Sequence, residues 1–219
     1  MRKILVTGGA GYIGSHTIVE LIDAGYTPII VDNLCNTSTQ NIDGIEKIIN
    51  ATVKWHNIDC TDMIAMNKVF TEEKSVEGVL HFAAYKSVEE SVENPQKYYE
   101  NNMGSLKVVL KCMQENEVKN IIFSSSCTVY GMPDFLPVNE NSLFKKAESP
   151  YAETKQICER ILKIDTCNSI ALRYFNPIGS HPSALIGDCS ADKPNNLVPI
   201  ITEVAIGKRE KITVFGDDY

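Results

Sequence analysis

The sequence predicts an α/β chain: a doubly wound parallel sheet, followed by the opening of a smaller, incomplete second lobe. Three observations carry this expectation. Short apolar runs alternate with helical stretches, the order that gives a parallel sheet covered on both faces. The first run leads directly into a glycine-rich turn, and the second ends in an aspartate.

Lys3-Ile4-Leu5-Val6-Thr7 is the first strand, and Gly8-Gly9-Ala10-Gly11-Tyr12-Ile13-Gly14 follows at once. Gly14, Ile18, Leu21 and Ile22 then recur at helical spacing, and Gly25 closes the segment. Pro28-Ile29-Ile30-Val31-Asp32 is the second strand. Strand, glycine turn, helix and strand within about 30 residues is the setting of a dinucleotide-binding, Rossmann-type unit. The glycines are spaced G-x-x-G-x-x-G (Gly8, Gly11, Gly14). Such a turn lets backbone approach a pyrophosphate, and the helix start offers unpaired N–H groups to the anion, here from Tyr12, Ile13 and Gly14. Asp32 lies about 20 residues after the loop. A carboxylate there accepts hydrogen bonds from ribose hydroxyls and repels a 2′-phosphate, which favours NAD over NADP.

Thr52-Val53-Lys54-Trp55-His56 predicts a third strand ending at Asp59. Asp59 either reaches an adenine edge or caps a helix over Thr61 to Lys74. Gly78 to Phe82, Asn120 to Ser124 and Ser169 to Arg173 complete six strands. Between them a helix is expected over 96–115, with Tyr99, Met103, Leu106, Leu110 and Met113 on one stripe. Ligands sit at the carboxyl ends of such strands. That rule gathers Gly8–Gly14, Asp32, Asp59, Phe82–Lys86, Ser124–Thr128 and Arg173–Asn176 on one rim. Residues 1–176 are expected to form the cofactor unit and 177–219 the start of the second. In the latter a helix is expected over Asn196 to Gly207 and a strand-like run at Thr213-Val214-Phe215.

Ser149-Pro150-Tyr151-Ala152-Glu153-Thr154-Lys155 holds the chemistry. Pro150 suits a helix start, and Tyr151 and Lys155 then share one face. An ammonium beside a phenol eases its ionisation, which makes Tyr151 a candidate proton carrier. In Ser124-Ser125-Ser126-Cys127-Thr128 a hydroxyl can face Tyr151 across the rim. A hydroxyl and an ionisable phenol converging on one substrate oxygen suit hydride chemistry at a secondary alcohol.

The formal net charge of −7 over 219 residues disfavours nucleic acid and anionic membrane as partners. No apolar run approaches 18 residues, and the start of the chain is strand rather than leader peptide. Seven scattered cysteines without C-x-x-C spacing read as reduced thiols in a cytoplasmic protein. The four histidines are isolated and no metal constellation is found.

These motifs, with His81-Phe82-Ala83-Ala84, Val129-Tyr130-Gly131 and Arg173-Tyr174-Phe175-Asn176-Pro177, resemble the extended short-chain dehydrogenase/reductase family, and within it the nucleotide-sugar epimerases. The likeness runs from residue 1 to the end, and Asp32-Asn33-Leu34-Cys35-Asn36 and Asn195-Asn196-Leu197 are among its most specific parts. The resemblance implies a tightly held NAD and interconversion of UDP-glucose and UDP-galactose at C4 through a transient 4-keto sugar. It makes Ser126, Tyr151 and Lys155 catalytic, with Lys155 lowering the Tyr151 pKa. It implies cofactor contacts from Asn33, Leu34, Cys35, Asn36, Asp59, Cys60, Phe82, Ala83, Ala84, Lys86, Asn101, Ser124 and Phe175. Substrate contacts fall to Lys86, Ser126, Thr128, Tyr151, Asn176, Asn196 and Leu197. It also suggests a homodimer paired through helices near 96–115 and 150–166. Family chains continue past the position of Tyr219, so an N-terminal two-thirds piece is expected, which alone would bind NAD poorly and aggregate or dimerise non-specifically. Another nucleotide-sugar 4-epimerase and a catalytically silent NAD-binding module stay open as alternatives.

Overall fold

The computed structural model describes residues 2–190, 194, 196–214 and 216. The expected strands form one six-stranded, wholly parallel sheet: β1 (Arg2–Thr7), β2 (Tyr26–Val31), β3 (Lys54–His56), β4 (Val76–His81), β5 (Asn120–Ser126) and β6 (Asn168–Tyr174). Their spatial order is β3-β2-β1-β4-β5-β6. The order reverses between β1 and β4, and a crevice opens there at the carboxyl ends of the strands.

Over the central strands both faces are covered, alternate residues pointing opposite ways, while at the edge strand β6 the side chains of Ile170 and Leu172 stay exposed. Leu5, Val79, Ile121 and Phe123 meet α3 (Met63–Glu73), α6 (Gly104–Glu115) and α7 (Pro150–Ile164) through Met66, Val69, Phe70, Leu106, Val109, Met113, Cys158 and Leu162. On the other face Ile4, Val6 and Ile30 meet α1 (Tyr12–Asp23) and α2 (Gln40–Ile49) through Ile18, Val19, Ile42 and Ile45. Two helices went unread in the sequence. In α2 the apolar stripe is short and interrupted by Gly44, and α4 (Val88–Glu93) has only six residues.

Three expectations are corrected. The third strand stops at His56, so Asp59 lies in the loop beyond it. The helix after it is capped by Asp62, whose Oδ1 accepts from the N–H of Ile64 (2.9 Å) and Ala65 (3.0 Å). Asp59 is occupied by the preceding turn, accepting from the N–H (2.7 Å) and hydroxyl (2.6 Å) of Thr61. The helix expected over 96–115 starts at Pro95 as α5 (Pro95–Tyr98) and widens into a π-turn at Tyr99–Met103 before α6. The wide turn rotates the apolar face, so Tyr98 rather than Tyr99 is fully buried.

Beyond β6 the chain runs without regular structure to α8 (Leu197–Ala205), which lies inside the expected helix and buries none of its residues. Residues 178–190 pack back across the N-terminal helices. Ile186 joins the core beside α2. The buried Asn41 side chain bonds the Gly187 carbonyl (3.1 Å) and N–H (3.2 Å), and a Cβ on Gly44 would come within 2.2 Å of the Leu185 carbonyl oxygen. Thr213 and Val214 form no strand, and Phe215, like Asn195, lies outside the described residues.

Candidate active site

One cleft of about 390 Å³ opens at the crevice between β1 and β4. At one end it is walled by the glycine loop, and each glycine there has its own reason. Gly8 holds φ +69° with its Cα against the Ala83 backbone, and a Cβ would lie 2.6 Å from the Ala83 nitrogen. A Cβ on Gly14 would lie 2.2 Å from the Gly8 carbonyl oxygen. At Gly11 a Cβ would meet only that carbonyl oxygen, at 3.2 Å, and would otherwise fill the cleft. Gly11 is also the N-cap of α1 and offers no side chain to the first-turn N–H groups. The loop is therefore a backbone cradle for an anion.

Asp32 stands just past β2, buried, with Oδ2 accepting from the Ala10 N–H (3.0 Å) and Oδ1 from the Leu34 N–H (2.9 Å). Burial raises its pKa, and these two N–H groups pull against the rise. Asn33 donates to Asp59 at 3.0 Å. Burial tends to raise the Asp59 pKa, but the hydrogen bonds from Thr61 and Asn33 outweigh it and hold the carboxyl low. Next to them Asn36 lines the cleft with a buried Oδ1 that has no hydrogen-bond partner among the described residues. The open Gly11 cradle and this orphan amide oxygen fit a dinucleotide with its diphosphate at α1.

At the other end stand the groups singled out for chemistry. Ser149 caps α7 by accepting from the Ala152 N–H (3.1 Å), and Pro150 occupies the first turn. This aims Tyr151 and Lys155 at the end of β5. Lys155 is 3% exposed; its Nζ donates to the Ser124 carbonyl at 2.7 Å and lies 4.8 Å from the centre of the Phe123 ring. Burial pushes its pKa down to about 8, with Cys158 and Glu159 acting upward. Ser126 receives hydrogen bonds from the N–H (3.2 Å) and hydroxyl (3.0 Å) of Thr128.

The Tyr151 phenol departs from expectation. Burial raises its pKa, the Ser126 hydroxyl beside it acts downward, and Cys127 adds to the rise. The Lys155 ammonium is committed to Ser124 and sits 5.8 Å from the centre of the Tyr151 ring, so desolvation prevails over its pull.

The cleft is lined by all the sequence-selected site residues except Leu34 and Leu197. Leu34 takes φ +57° and packs its side chain against the core beside α2, leaving only backbone near the cleft. Leu197, the first residue of α8, is 65% exposed. Lys86 reaches across the cleft to the Ser190 hydroxyl (3.2 Å) and to Asp188 (3.8 Å). Phe175 lies 6.4 Å, ring to ring, from Tyr130.

Ile58, Ser105 and Ser190 also line the cleft and were missed. So was Asn102, which supports it from behind. Its side chain bonds the Tyr85 N–H (2.9 Å) and carbonyl (3.0 Å) and reaches Thr154 of α7 (3.4 Å). The one signal was a paired Asn inside an otherwise apolar helical pattern. His81 is buried at the end of β4, with Nδ1 2.7 Å from the Thr7 hydroxyl, and burial pushes its pKa down to about 3. Among the described residues no cluster of metal-binding side chains occurs, and no helix is long and apolar enough to cross a membrane.

Comparison with known proteins agrees with this geometry. Residues 4–218 match the NAD dependent epimerase/dehydratase family. The UDP-glucose 4-epimerase of Dictyostelium discoideum is 48% identical over 99% of this chain and 64% of its own length. That of Drosophila melanogaster is 45% identical, over 99% and 65% respectively. The crystal structure of UDP-glucose 4-epimerase from Bifidobacterium longum in complex with NAD+ and UDP superposes with a TM-score of 0.94 at 42% identity, covering 99% of this chain and 66% of that one. The chain thus spans about two thirds of the length of these relatives, and it belongs to the NAD dependent epimerase/dehydratase family.

Proposed function

We propose that the chain carries the cofactor site and chemical centre of an NAD-dependent epimerase that interconverts UDP-glucose and UDP-galactose at C4. The observation that carries this reading is the meeting of Ser126, Tyr151 and Lys155 at one end of a cleft whose other end is the glycine cradle with Asp32. The relatives named UDP-glucose 4-epimerase support the choice of sugar, and the Bifidobacterium longum complex with NAD+ and UDP supports the choice of ligands.

The first-turn N–H groups of α1 would hold the diphosphate of NAD, and Asp32 would accept from the adenosine ribose and disfavour a 2′-phosphate. When bound, NAD supplies a hydride acceptor that can return the hydride to the same carbon. Tyr151 takes the proton of the sugar 4-hydroxyl and later gives it back. Ser126 donates to the 4-oxygen, opposite the phenol. Lys155 is held by Ser124 where its charge can favour the phenolate once the site is filled. Burial raises the phenol's pKa in the ligand-free chain, and a positive charge bound beside it would act downward.

In the same reading residues 1–176 serve NAD, while Asn176, Asn196 and Leu197 open a nucleotide-sugar region that continues through 177–219. All seven cysteines are free thiols, which suits a reducing, cytoplasmic setting. Pairing of two copies through α6 and α7 is part of the proposal, and sedimentation of the purified chain tests it.

The deciding experiment incubates the chain with NAD+ and UDP-galactose and follows UDP-glucose. Turnover that disappears in Tyr151→Phe, with NAD+ binding retained, supports the reading. Turnover unchanged in Tyr151→Phe removes the phenol from proton transfer. NAD+ binding without any turnover leaves a cofactor-binding module.

A further inference from the structure

We infer that Glu159 is a positioning residue which, through Ser125 and Arg173, sets the spacing between Tyr151 and Ser126. This rests on Tyr151 as the proton carrier of the proposed reaction.

Helix α7 presents Tyr151, Lys155 and Glu159 on successive turns of one face. These three meet three consecutive residues at the end of β5. The Ser126 hydroxyl lies beside the Tyr151 phenol. The Ser124 carbonyl accepts from Lys155. The Ser125 hydroxyl donates to Glu159 Oε1. The sheet register places Arg173 of β6 directly opposite Ser125. Its guanidinium grips the same carboxylate with two donors, Nε to Oε1 at 3.0 Å and Nη2 to Oε2 at 2.8 Å.

One carboxylate, 9% exposed, therefore binds both members of a single sheet row. The next row holds Ser126 opposite Tyr174, both on the cleft. Arg173 also donates through Nη1 to the Tyr130 hydroxyl at 3.0 Å, tying down the turn that follows Ser126. For α7 to slide along the sheet and change the distance from Tyr151 to Ser126, all three hydrogen bonds to Glu159 must break. A buried ion pair is a poor source of net stability compared with apolar packing of the same volume. What this one supplies is a fixed helix height one row below the reacting groups.

The test is an ultraviolet difference titration of the Tyr151 phenol in the full chain, each variant being compared with its own Tyr151→Phe counterpart. Ser125→Ala removes one hydrogen bond without changing charge, and Glu159→Gln removes the charge. The expected result is an upward shift of the Tyr151 midpoint by about half a pH unit in Ser125→Ala, because the Ser126 hydroxyl no longer sits against the phenol. Glu159→Gln, where it folds, shifts the same way. Loss of a negative charge alone would lower the midpoint, so a rise there reports spacing and not charge. A purely structural role lowers the melting temperature and leaves the midpoint in place. A midpoint unchanged or lowered in folded Ser125→Ala overturns the inference, whatever becomes of Glu159→Gln. The titration needs neither cofactor nor turnover, so its failure is separate from failure of the UDP-galactose assay.

Discussion

At the glycine end the cleft wall is backbone, and its fit depends on side chains that are not there. Gly14 and Gly8 sit so close to neighbouring main chain that a single carbon would collide with it. At the other end the wall is side chains, and its character depends on burial. Lys155 is almost wholly buried with its charge resting on a carbonyl oxygen, and the Tyr151 phenol is pushed towards its neutral form. The contrast teaches that the two halves answer to different physics. At the glycines the constraint is steric; at Lys155 and Tyr151 it is electrostatic, and it is disfavoured in the empty protein. Stability and binding should therefore move together at the glycine end and in opposite directions at the lysine end.

The largest effect tests the steric half. Gly14→Ala forces a Cβ to 2.2 Å from the Gly8 carbonyl oxygen and 2.7 Å from the Gly9 Cα, neither of which can swing aside. A loss of about 3 kcal/mol in urea unfolding is expected, together with loss of NAD+ binding by calorimetry. Gly11→Ala meets one atom at 3.2 Å. It should cost less than about 1 kcal/mol of stability while still weakening NAD+ binding. Equal destabilisation by the two substitutions would break the distinction drawn between these glycines.

Lys155→Met tests the electrostatic half. The folded-state pKa is held near 8 against an ordinary 10.5. The folded chain thus gives up this proton before the unfolded chain does. The ammonium opposes folding fully below about pH 8, and the opposition fades as the pH rises towards 10.5. The substitution should stabilise the ligand-free chain by about 1–2 kcal/mol at neutral pH, net of the hydrogen bond lost at Ser124, with the gain shrinking in alkali. NAD+ affinity should fall in the same variant. A chain destabilised at neutral pH would show that the contacts to Ser124 and Phe123 outweigh desolvation.

A smaller effect separates the two aspartates before α3. Asp62→Ala removes the cap and should cost about 1 kcal/mol. Asp59→Ala leaves the helix cap intact and loosens only the turn before it, so it should cost less in the melting curve than Asp62→Ala and show mainly in NAD+ binding through the freed Asn33. The reverse pattern would restore Asp59 as the cap. The smallest stability change belongs to Tyr151→Phe, within about 0.5 kcal/mol of the parent by thermal melting, since only one hydroxyl is removed from beside Ser126.

Much of this arrangement was legible from residue order, and the failures have particular causes. The central strands were visible because parallel strands buried on both faces read as unbroken apolar runs, whereas the exposed edge strand β6 was visible only from the short run Ile170-Ala171-Leu172. The stripe on the long helix was misplaced at Tyr99 because nothing local announces a π-turn. Helix α2 was missed because Gly44 interrupts its pattern, and Gly44 is present for a distant reason: the Leu185 backbone lies against it. Segment 178–190 looked like a departure from the first unit, yet Ile186 and Asn41 bind it there across more than 140 residues of sequence.

By itself the sequence determined the alternation of strands and helices, the glycine cradle, the acidic residue after β2 and the one-turn spacing of Tyr151 and Lys155, because each is set by neighbours within a few turns of chain. Tertiary structure alone decided that Lys155 rests on Ser124, that Glu159 grips a residue from each of two strands, and that burial raises the Tyr151 pKa. Desolvation and cross-strand register depend on groups far apart in the chain, and no local pattern records them.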